Sequence, residues 1–349
     1  MRRKRRLILR LFLLLLFAAL FFAGCSSSVY YEFPVDLKNS ELKAGFLKKY
    51  SPYLNGKKIF VDPGHGGGDR RSVGINKLTT EADANLRVAL ALRNFLLEAG
   101  AVVFMSRDKD ATVDLKERSY MANKSGADVF ISIHHNAPGG DKDYWTNYTS
   151  TYYHAKETDY EYEPNERDLA RFVQRDMAYA MRNSGGLGSF DGTYSDYWIY
   201  PGNGFSVLRV TEIPSILVEC GFFTNAHEEA RISDEKFNKI QAWGIFRGIA
   251  RYFAAGIPEV KPVNEKSFYA AGDVKLKYSL IDSAGIDQSK IRVLFDSLDV
   301  VGVQFNNRNN ELTVDLPSVK EGEYELKIIA ANKYGNHNFP YKKKIKIIH

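Results

Sequence analysis

Three short segments of this sequence place histidines and a carboxylate where a metal site could form. The first is the glycine-rich segment 62–68, in which His65 follows the apolar residues 59–61. In an open α/β sheet, sites assemble at the edge formed by the carboxyl ends of the strands. The segment lacks the Lys-Ser/Thr pair of a phosphate-binding loop and the spacing of a dinucleotide fingerprint. We therefore interpret His65 as a candidate metal ligand.

The other two segments supply Glu81 and a pair of histidines. Glu81 lies in the first turn of a predicted helix, and taken alone it is explained by the favourable interaction of an acid with a helix N-terminus. His134 and His135 end the apolar segment 129–133. Two strands that deliver imidazoles to one edge of a sheet, with a carboxylate at a nearby helix start, form the His2Glu ligand set of a catalytic zinc site. Successive strand residues face opposite ways, so we expect one of the two histidines to bind.

Glu219 is the candidate general acid and base. It ends the hydrophobic segment 216–218, which has the composition of a buried strand. An ionised carboxylate is costly to bury unless it is paired or lies near a metal ion. A glutamate beside the predicted zinc site would transfer protons to and from the reacting groups.

The order of the apolar segments predicts an α/β domain over residues 57–256. Segments of strand length alternate with longer segments of helical periodicity, which is typical of a largely buried sheet. The predicted strands are 59–61, 102–105, 129–133, 149–153, 207–210 and 216–218, and the predicted helices are 80–99, 114–125, 167–184 and 234–254. We expect a twisted central sheet flanked by helices.

Residues 257–349 have a different pattern. Apolar residues alternate with lysines, as at Val274, Leu276 and Tyr278, and turn residues recur at short intervals. About seven such strands predict a small, all-β immunoglobulin-like sandwich. An architecture of this kind does not by itself specify a function.

The N-terminus has the pattern of an export signal. Basic residues precede the apolar segment 7–23, and residues 22–25 resemble a lipobox, in which the thiol of Cys25 receives a diacylglycerol before cleavage. We therefore predict that residues 1–24 are a lipoprotein signal peptide. The alternative is an uncleaved signal anchor, because the apolar segment approaches the roughly 18 residues that begin to span a bilayer. Either interpretation places the body of the protein outside the cytoplasm.

The net charge of +6 does not indicate a nucleic-acid partner. Six basic residues before Cys25, with no acidic residue among them, account for all of it, so the rest of the chain is neutral. Residues 25–56 show no sustained periodicity and are predicted to tether the domain to the membrane. Ser26 after the lipidated cysteine favours sorting to an outer membrane if the cell has one. The predicted location is the cell envelope, lipid-anchored and on the periplasmic side.

Several segments of the sequence carry a family resemblance. They are residues 62–67, Glu81 with Asn85 and Leu86, residues 132–137 and residues 214–225, with Ser106, Arg107, Arg118, Ala122 and Asn123 between them. In type and order they resemble the motifs of the zinc-dependent N-acetylmuramoyl-L-alanine amidases of the amidase-3 family. The resemblance covers about residues 57–255, and it leaves the C-terminal sandwich outside.

The resemblance implies a cofactor, a substrate and a role for each candidate residue. It implies that Zn²⁺ is bound by His65, Glu81 and His134, and that Glu219 is the catalytic glutamate. The implied substrate is peptidoglycan. A zinc-activated water would cleave the amide between N-acetylmuramic acid and the L-alanine of the stem peptide.

Two further residues are candidates for orienting a ligand. His135 stands where members of the family usually have a small residue. Asp62 is of the type that often accepts a hydrogen bond from a zinc-bound histidine. For Asp62, a plain role in the turn is the alternative interpretation.

Two other functions agree with the same residues. One is a non-catalytic lipoprotein that binds peptidoglycan, and the other is a zinc peptidase that cuts within the stem peptide. An intact set of four site residues favours an enzyme, because a binding protein has little reason to keep it. The C-terminal domain would hold substrate, orient the enzyme or bind a protein partner, and the sequence does not choose among these.

Overall fold

A six-stranded mixed sheet carries the predicted site. The computed structural model describes residues 31–139, 143–183, 185 and 191–349, so the predicted signal peptide and Cys25 lie outside the described residues. The strands are β1 (Lys58–Pro63), β2 (Val102–Met105), β3 (Val129–Asn136), β4 (Ser150–Tyr153), β5 (Thr193–Ser195) and β6 (Ser215–Phe222). Their order is β2-β1-β3-β6-β4-β5. The first four strands in this order are parallel, whereas β4 runs antiparallel to β6.

The central strands are apolar because both faces of the sheet are covered. Residues 59–63 of β1 and 129–133 of β3 are all buried, as expected for strands of a parallel sheet between two layers. Since β1, β3 and β6 are parallel, their carboxyl ends meet at one edge of the sheet. The residues after these ends therefore lie close together.

Eight α-helices are present in the described part of the chain. They are α1 (Val35–Lys38), α2 (Ser40–Leu54), α3 (Glu81–Glu98), α4 (Leu115–Ser125), α5 (Pro164–Met181), α6 (Ser206–Arg209), α7 (Ala226–Ile232) and α8 (Glu235–Ala254). Helix α8 packs against α3 and α5, whereas α4 packs against α6. The predicted α/β fold and its four long helices are confirmed, with small shifts at the helix ends. Within the described residues, none of the helices combines the length and apolarity needed to cross a bilayer.

The prediction of a strand at 207–210 is wrong, because these residues lie in and after the short helix α6. Val207 and Leu208 are buried in an apolar cluster with Phe130 and Leu217 of the sheet. A segment of four residues, three of them apolar, has too few positions for its periodicity to distinguish a strand from a buried helical turn. Val207 and Leu208 are buried as a strand of the sheet would be, whereas Arg209 and Val210 are exposed.

The segment 25–56, in which the sequence shows no sustained periodicity, contains two helices in its described part, α1 and α2. The side chain of Asn39 caps helix α2 by accepting from the backbone N–H groups of Glu41 and Leu42. Phe46 lies 5.3 Å from Trp243 of α8, measured between ring centroids. Tertiary packing against α8 therefore stabilises a helix whose own sequence pattern is weak.

Residues 257–349, all of them described, form an all-β region. Its strands are β7 (Glu259–Pro262), β8 (Tyr269–Ala270), β9 (Gly272–Ile281), β10 (Ile286–Phe295), β11 (Leu298–Asp299), β12 (Val303–Asn306), β13 (Glu311–Val319), β14 (Gly322–Asn332) and β15 (Tyr341–Ile348). They form two sheets, in the orders β11-β10-β14-β15-β8 and β12-β13-β9-β7. Apolar residues of both sheets share one buried core. The prediction of an all-β C-terminal region is confirmed.

A buried lysine joins this all-β region to the α/β region. Lys327 of β14 is 2% exposed, and its Nζ lies 2.9 Å from Glu163 Oε1. The same ammonium donates to the backbone oxygens of Tyr160 and Tyr162 at 2.9 and 3.0 Å. Lys342 adds a second ion pair to Glu163. A lysine with all its donors used in this way fixes one region against the other.

Candidate metal and catalytic site

Three of the predicted ligands converge at the carboxyl edge of the sheet. One possible ligand atom from each of His65, Glu81 and His134 lies within 4.8 Å of the others. His65 Nε2 is 3.1 Å from Glu81 Oε2, and His134 Nδ1 is 3.0 Å from Glu81 Oε1. The residues come from the end of β1, the start of α3 and the end of β3. The sheet thus brings together groups that are far apart along the chain.

The loop after β1 passes unusually close to the strand beside it. A Cβ atom at Gly64 would lie 2.2 Å from Cε1 of His134, so only glycine fits there. The next residue, His65, has a φ of +58°, a left-handed conformation that is uncommon for a residue with a side chain. Such backbone conformations persist where the surroundings impose them, and they concentrate at functional sites.

Two buried arginines impose this loop conformation. Arg107 donates from Nε to the backbone oxygen of Pro63 at 3.0 Å and from Nη2 to that of Gly64 at 2.9 Å. Arg118 donates from Nη1 to the oxygen of Pro63 at 2.7 Å and from Nη2 to that of His65 at 2.9 Å. The rigid fork of a guanidinium group suits it to holding several carbonyl groups at once.

Asp62 supports the loop rather than a histidine ring. Its carboxylate is fully buried and accepts from Ser106 Oγ at 2.5 Å, Ser132 Oγ at 2.8 Å and Arg118 Nη1 at 2.7 Å. The prediction that Asp62 orients a ligand therefore needs correction: its effect on His65 passes through Arg118 and the backbone.

Asp69 is the carboxylate that contacts the ring of His65, and the sequence interpretation missed it. Its Oδ2 lies 2.7 Å from His65 Nδ1. A hydrogen bond at Nδ1 fixes the tautomer and orientation of the ring, and directs Nε2 toward Glu81. The available signal was an acidic residue four positions after the histidine in the same loop.

Glu219 lies next to this cluster. It is the register partner of His134 across the parallel strands β3 and β6. Both residues line one cavity of about 530 Å³, together with His65 and Glu81. A cavity of this size accommodates a small ligand. Proton transfer by Glu219 and metal chemistry by the other three residues would therefore act on the same bound molecule.

The model of the Amidase_3 family, N-acetylmuramoyl-L-alanine amidase, matches residues 59–251, which include all four site residues. The chain belongs to this family. The predictions of family and of amidase function on peptidoglycan are confirmed.

Individual relatives agree with the family match. A germination-specific N-acetylmuramoyl-L-alanine amidase of Bacillus subtilis (strain 168) is 32% identical over 220 residues, or 59% of this chain and 84% of the relative. The amidase CwlM of Bacillus licheniformis is 35% identical over 198 residues, or 56% and 68%. The crystal structure of an N-acetylmuramoyl-L-alanine amidase from Clostridium difficile 630 has a TM-score of 0.50 and 34% identity, covering 58% of this chain and 98% of that one.

Burial and hydrogen bonds within the amidase site shift the pKa values of Glu81 and His65 in opposite directions. Burial alone would raise the pKa of Glu81, but hydrogen bonds from His134 and His65 outweigh burial and lower it. Burial likewise opposes protonation of His65, yet Glu81 and Asp69 raise the pKa of this histidine to about 9. Glu81 is therefore an anion that attracts positive charge, which is the property a metal ligand requires.

His135 supports Glu81 from the buried side of the amidase site. Gln241 Nε2 lies 3.1 Å from His135 Nε2, so the histidine accepts there and carries its proton on Nδ1. That Nδ1 lies 2.8 Å from Asn85 Oδ1, and Asn85 Nδ2 donates to Glu81 Oε1 at 3.4 Å. Burial lowers the pKa of His135 to about 4, so the ring is neutral. This series of hydrogen bonds connects Gln241 of helix α8 to the candidate ligand Glu81.

Glu219 has the opposite electrostatic character from Glu81. Burial and the charge of Glu81 raise the pKa of Glu219 well above its ordinary value. Its Oε2 is buried and has no hydrogen-bond partner among the described residues. A carboxyl group with a raised pKa and an oxygen without a hydrogen-bond partner is suited to general acid–base catalysis.

The donor atoms of the amidase site suit zinc. Two imidazole nitrogens and one carboxylate oxygen form a set that Zn²⁺ takes in catalytic centres, where a fourth position stays open. Glu219, whose Oε2 has no hydrogen-bond partner among the described residues, lines the same cavity, as expected for a proton acceptor beside that position.

Proposed function

We propose that the protein uses zinc to hydrolyse the amide bond between N-acetylmuramic acid and the L-alanine of the peptidoglycan stem peptide. His65, Glu81 and His134 would hold the ion, and Glu219 would be the catalytic residue. The observation that carries this proposal is the convergence of the first three within 4.8 Å in the cavity that Glu219 lines.

Each residue has a defined task in this proposal. When bound, zinc supplies a Lewis acid that lowers the pKa of water to roughly 7 and polarises a carbonyl group. Glu219 takes a proton at its free Oε2 as water attacks the scissile carbonyl, and then passes it to the leaving amine of L-alanine. Its raised pKa favours the first of these steps, because a carboxylate with a higher pKa is a stronger base toward the attacking water.

The test is digestion of purified sacculi with and without a chelator, followed by mass spectrometry of the released fragments. We expect free stem peptides with an L-alanine amino terminus, and none after chelation. Shortened stems would instead indicate a peptidase, and unchanged sacculi would indicate a binding protein. Glu219→Gln protein, loaded with zinc, serves as the matched inactive control.

We also propose how the chain is organised in the cell envelope. Residues 1–24 would be removed as a signal peptide, Cys25 would carry the lipid, residues 57–256 would form the catalytic domain, and residues 257–349 an immunoglobulin-like sandwich. The two face-sharing sheets of the last region support the sandwich. Mass spectrometry of the membrane-extracted protein tests the anchor: a diacylated N-terminal cysteine is expected, and an intact N-terminal methionine would show an uncleaved signal anchor.

A further inference from the structure

The cavity of the candidate site contains a cationic group that the proposed mechanism does not use. Part of its wall is formed by residues 200–209, among them Tyr200, Asn203 and Arg209. Of the described residues that line the cavity, Arg209 is the single arginine or lysine. Its charge therefore decides which ligand groups this wall attracts.

Arg209 is held in place by a neutral partner. Nη1 donates to both the backbone oxygen and Oδ1 of Asn203. Among the described residues, no carboxylate forms an ion pair with Arg209, and its hydrogen bonds all come from Nη1, which leaves Nε and Nη2 without an acceptor. The guanidinium is thus oriented while its charge and two of its donor groups stay available.

The segment that presents Asn203 is itself anchored. The buried carboxylate of Asp196 accepts from the backbone N–H of Phe205 at 2.8 Å and of Ala155 at 3.1 Å. Between Asn203 and Phe205, Gly204 has a φ of +60°, and a Cβ atom there would lie 2.2 Å from Asp196 Oδ2. This close approach requires glycine and fixes the loop. Arg209 therefore belongs to a built wall of the cavity rather than to a loose surface loop.

We propose that Arg209 binds a carboxylate of the stem peptide, on the L-alanine side of the scissile bond. This proposal rests on the proposed function. In the intact substrate the lactyl carboxyl of N-acetylmuramic acid is consumed in the amide, so the glycan near this bond carries no carboxylate. The anionic groups are on the peptide. A guanidinium with two free donor groups recognises a carboxylate by charge-assisted, bidentate hydrogen bonds.

The experiment measures binding of product peptides, so it does not require turnover. The probes are L-alanyl-γ-D-glutamyl-L-lysine, its α-carboxamide at the second residue, and its C-terminal carboxamide, titrated into the zinc-loaded protein by calorimetry. We expect one carboxamide to bind about 10-fold more weakly than the parent peptide, and this identifies the carboxylate that Arg209 binds. Arg209→Gln should bind the parent and that carboxamide equally.

Two variants control the measurement. Arg209→Lys keeps the charge but not the fork, and we expect an intermediate preference. Arg171→Gln removes an exposed arginine that pairs with Asp191 away from the cavity wall, and we expect wild-type affinities. The proposal is overturned if Arg209→Gln preserves the carboxylate preference, or weakens all three peptides alike. Failure of the amidase function would appear separately, as unchanged sacculi in the digestion assay.

Discussion

His134 and Glu219 are register partners on the adjacent parallel strands β3 and β6. Neighbouring strands lie about 4.8 Å apart, so partners on one face have side chains side by side. The candidate zinc ligand and the candidate catalytic glutamate are therefore positioned by the hydrogen bonds of the sheet itself. Only His65 and Glu81 depend on a loop and a helix start to reach the same place.

Replacing Glu219 separates metal binding from catalysis. Glu219→Gln keeps the shape of the side chain but cannot exchange a proton. We expect normal zinc content and a loss of about 10²- to 10⁴-fold in the rate of sacculus hydrolysis. The measurements are metal analysis and the initial rate of dye release from labelled sacculi. A variant that retains near wild-type activity would remove Glu219 from the mechanism.

Replacing a candidate metal ligand should remove the zinc as well as the activity. His65→Ala and Glu81→Ala each delete one donor atom of the converged set. We expect both to lose zinc on dialysis and to lose activity with it. Metal content by mass spectrometry tests this, and His227→Ala, which alters a histidine outside the cavity, is the control. Unchanged zinc occupancy in the ligand variants would refute the assignment.

Asp69 is expected to tune the affinity for the metal. It contacts the ring of His65 at 2.7 Å without belonging to the converged set. Asp69→Ala should weaken zinc binding by about 10- to 100-fold, and Asp69→Asn should restore part of this because its amide oxygen still accepts. Competition with a zinc chelator measures the affinity. The exposed Asp108→Ala is the matched control, and an equal effect of the two alanine variants would contradict this role.

Glu166 should make stability depend on pH. Burial raises its pKa to about 8 although Ser215 and His154 donate to its carboxylate. Between the ordinary pKa of glutamate and pH 8 the folded protein keeps a proton that the unfolded chain has lost. Stability should therefore fall as pH rises through this range, with a slope of up to about 1.4 kcal/mol per pH unit.

The Glu166→Gln variant isolates that contribution because glutamine does not ionise. Urea unfolding at pH 5, 6.5 and 8 should show the variant gaining stability relative to the wild type as pH rises. Glu212→Gln, at an exposed glutamate, should show no such trend. A constant difference between Glu166→Gln and the wild type across this range would argue against a protonated Glu166.

The buried lysine between the two regions should matter for stability. Lys327→Met removes the ammonium that serves Glu163 and the backbone oxygens of Tyr160 and Tyr162. Breaking a buried pair of this kind costs about 3 kcal/mol. Lys343→Met, whose partner Glu265 is exposed, should change stability little. Urea unfolding of both variants tests the difference, and equal stabilities would contradict the importance of the buried contact.

The part of the site that lies on strands could be predicted from the sequence. His65, His134 and Glu219 each follow or end an apolar segment, and parallel strands bring such ends to one edge. Glu81 became a candidate only together with the two strand-end histidines, because an acid in a first helical turn has a simpler explanation when taken alone. The choice of His134 over His135 came from the resemblance. In the structure the ring of His135 contacts Asn85 and Gln241, whereas the ring of His134 contacts Glu81.

The errors have a common physical cause, which is that tertiary contacts decided the outcome. Helix α2 is stabilised because Phe46 packs against Trp243 of α8, which lies nearly two hundred positions later in the sequence. Residues 206–209 form a helix because Val207 and Leu208 then cover the sheet beside Leu217. Asp69 was missed because its contact with His65 depends on a left-handed backbone, which no local pattern specifies.

The guanidinium groups of Arg107 and Arg118 affect how the protein would bind the proposed zinc ion, because they hold the loop that carries His65. In small zinc domains the metal supplies the folding free energy, so chelation denatures them. Here the backbone around His65 accepts hydrogen bonds from the guanidinium groups of Arg107 and Arg118. These hydrogen bonds would hold the loop of the site in place before the proposed zinc ion binds. Under the proposed zinc chemistry, a cell short of the ion would keep this enzyme folded but inactive, and would restore its activity without new synthesis.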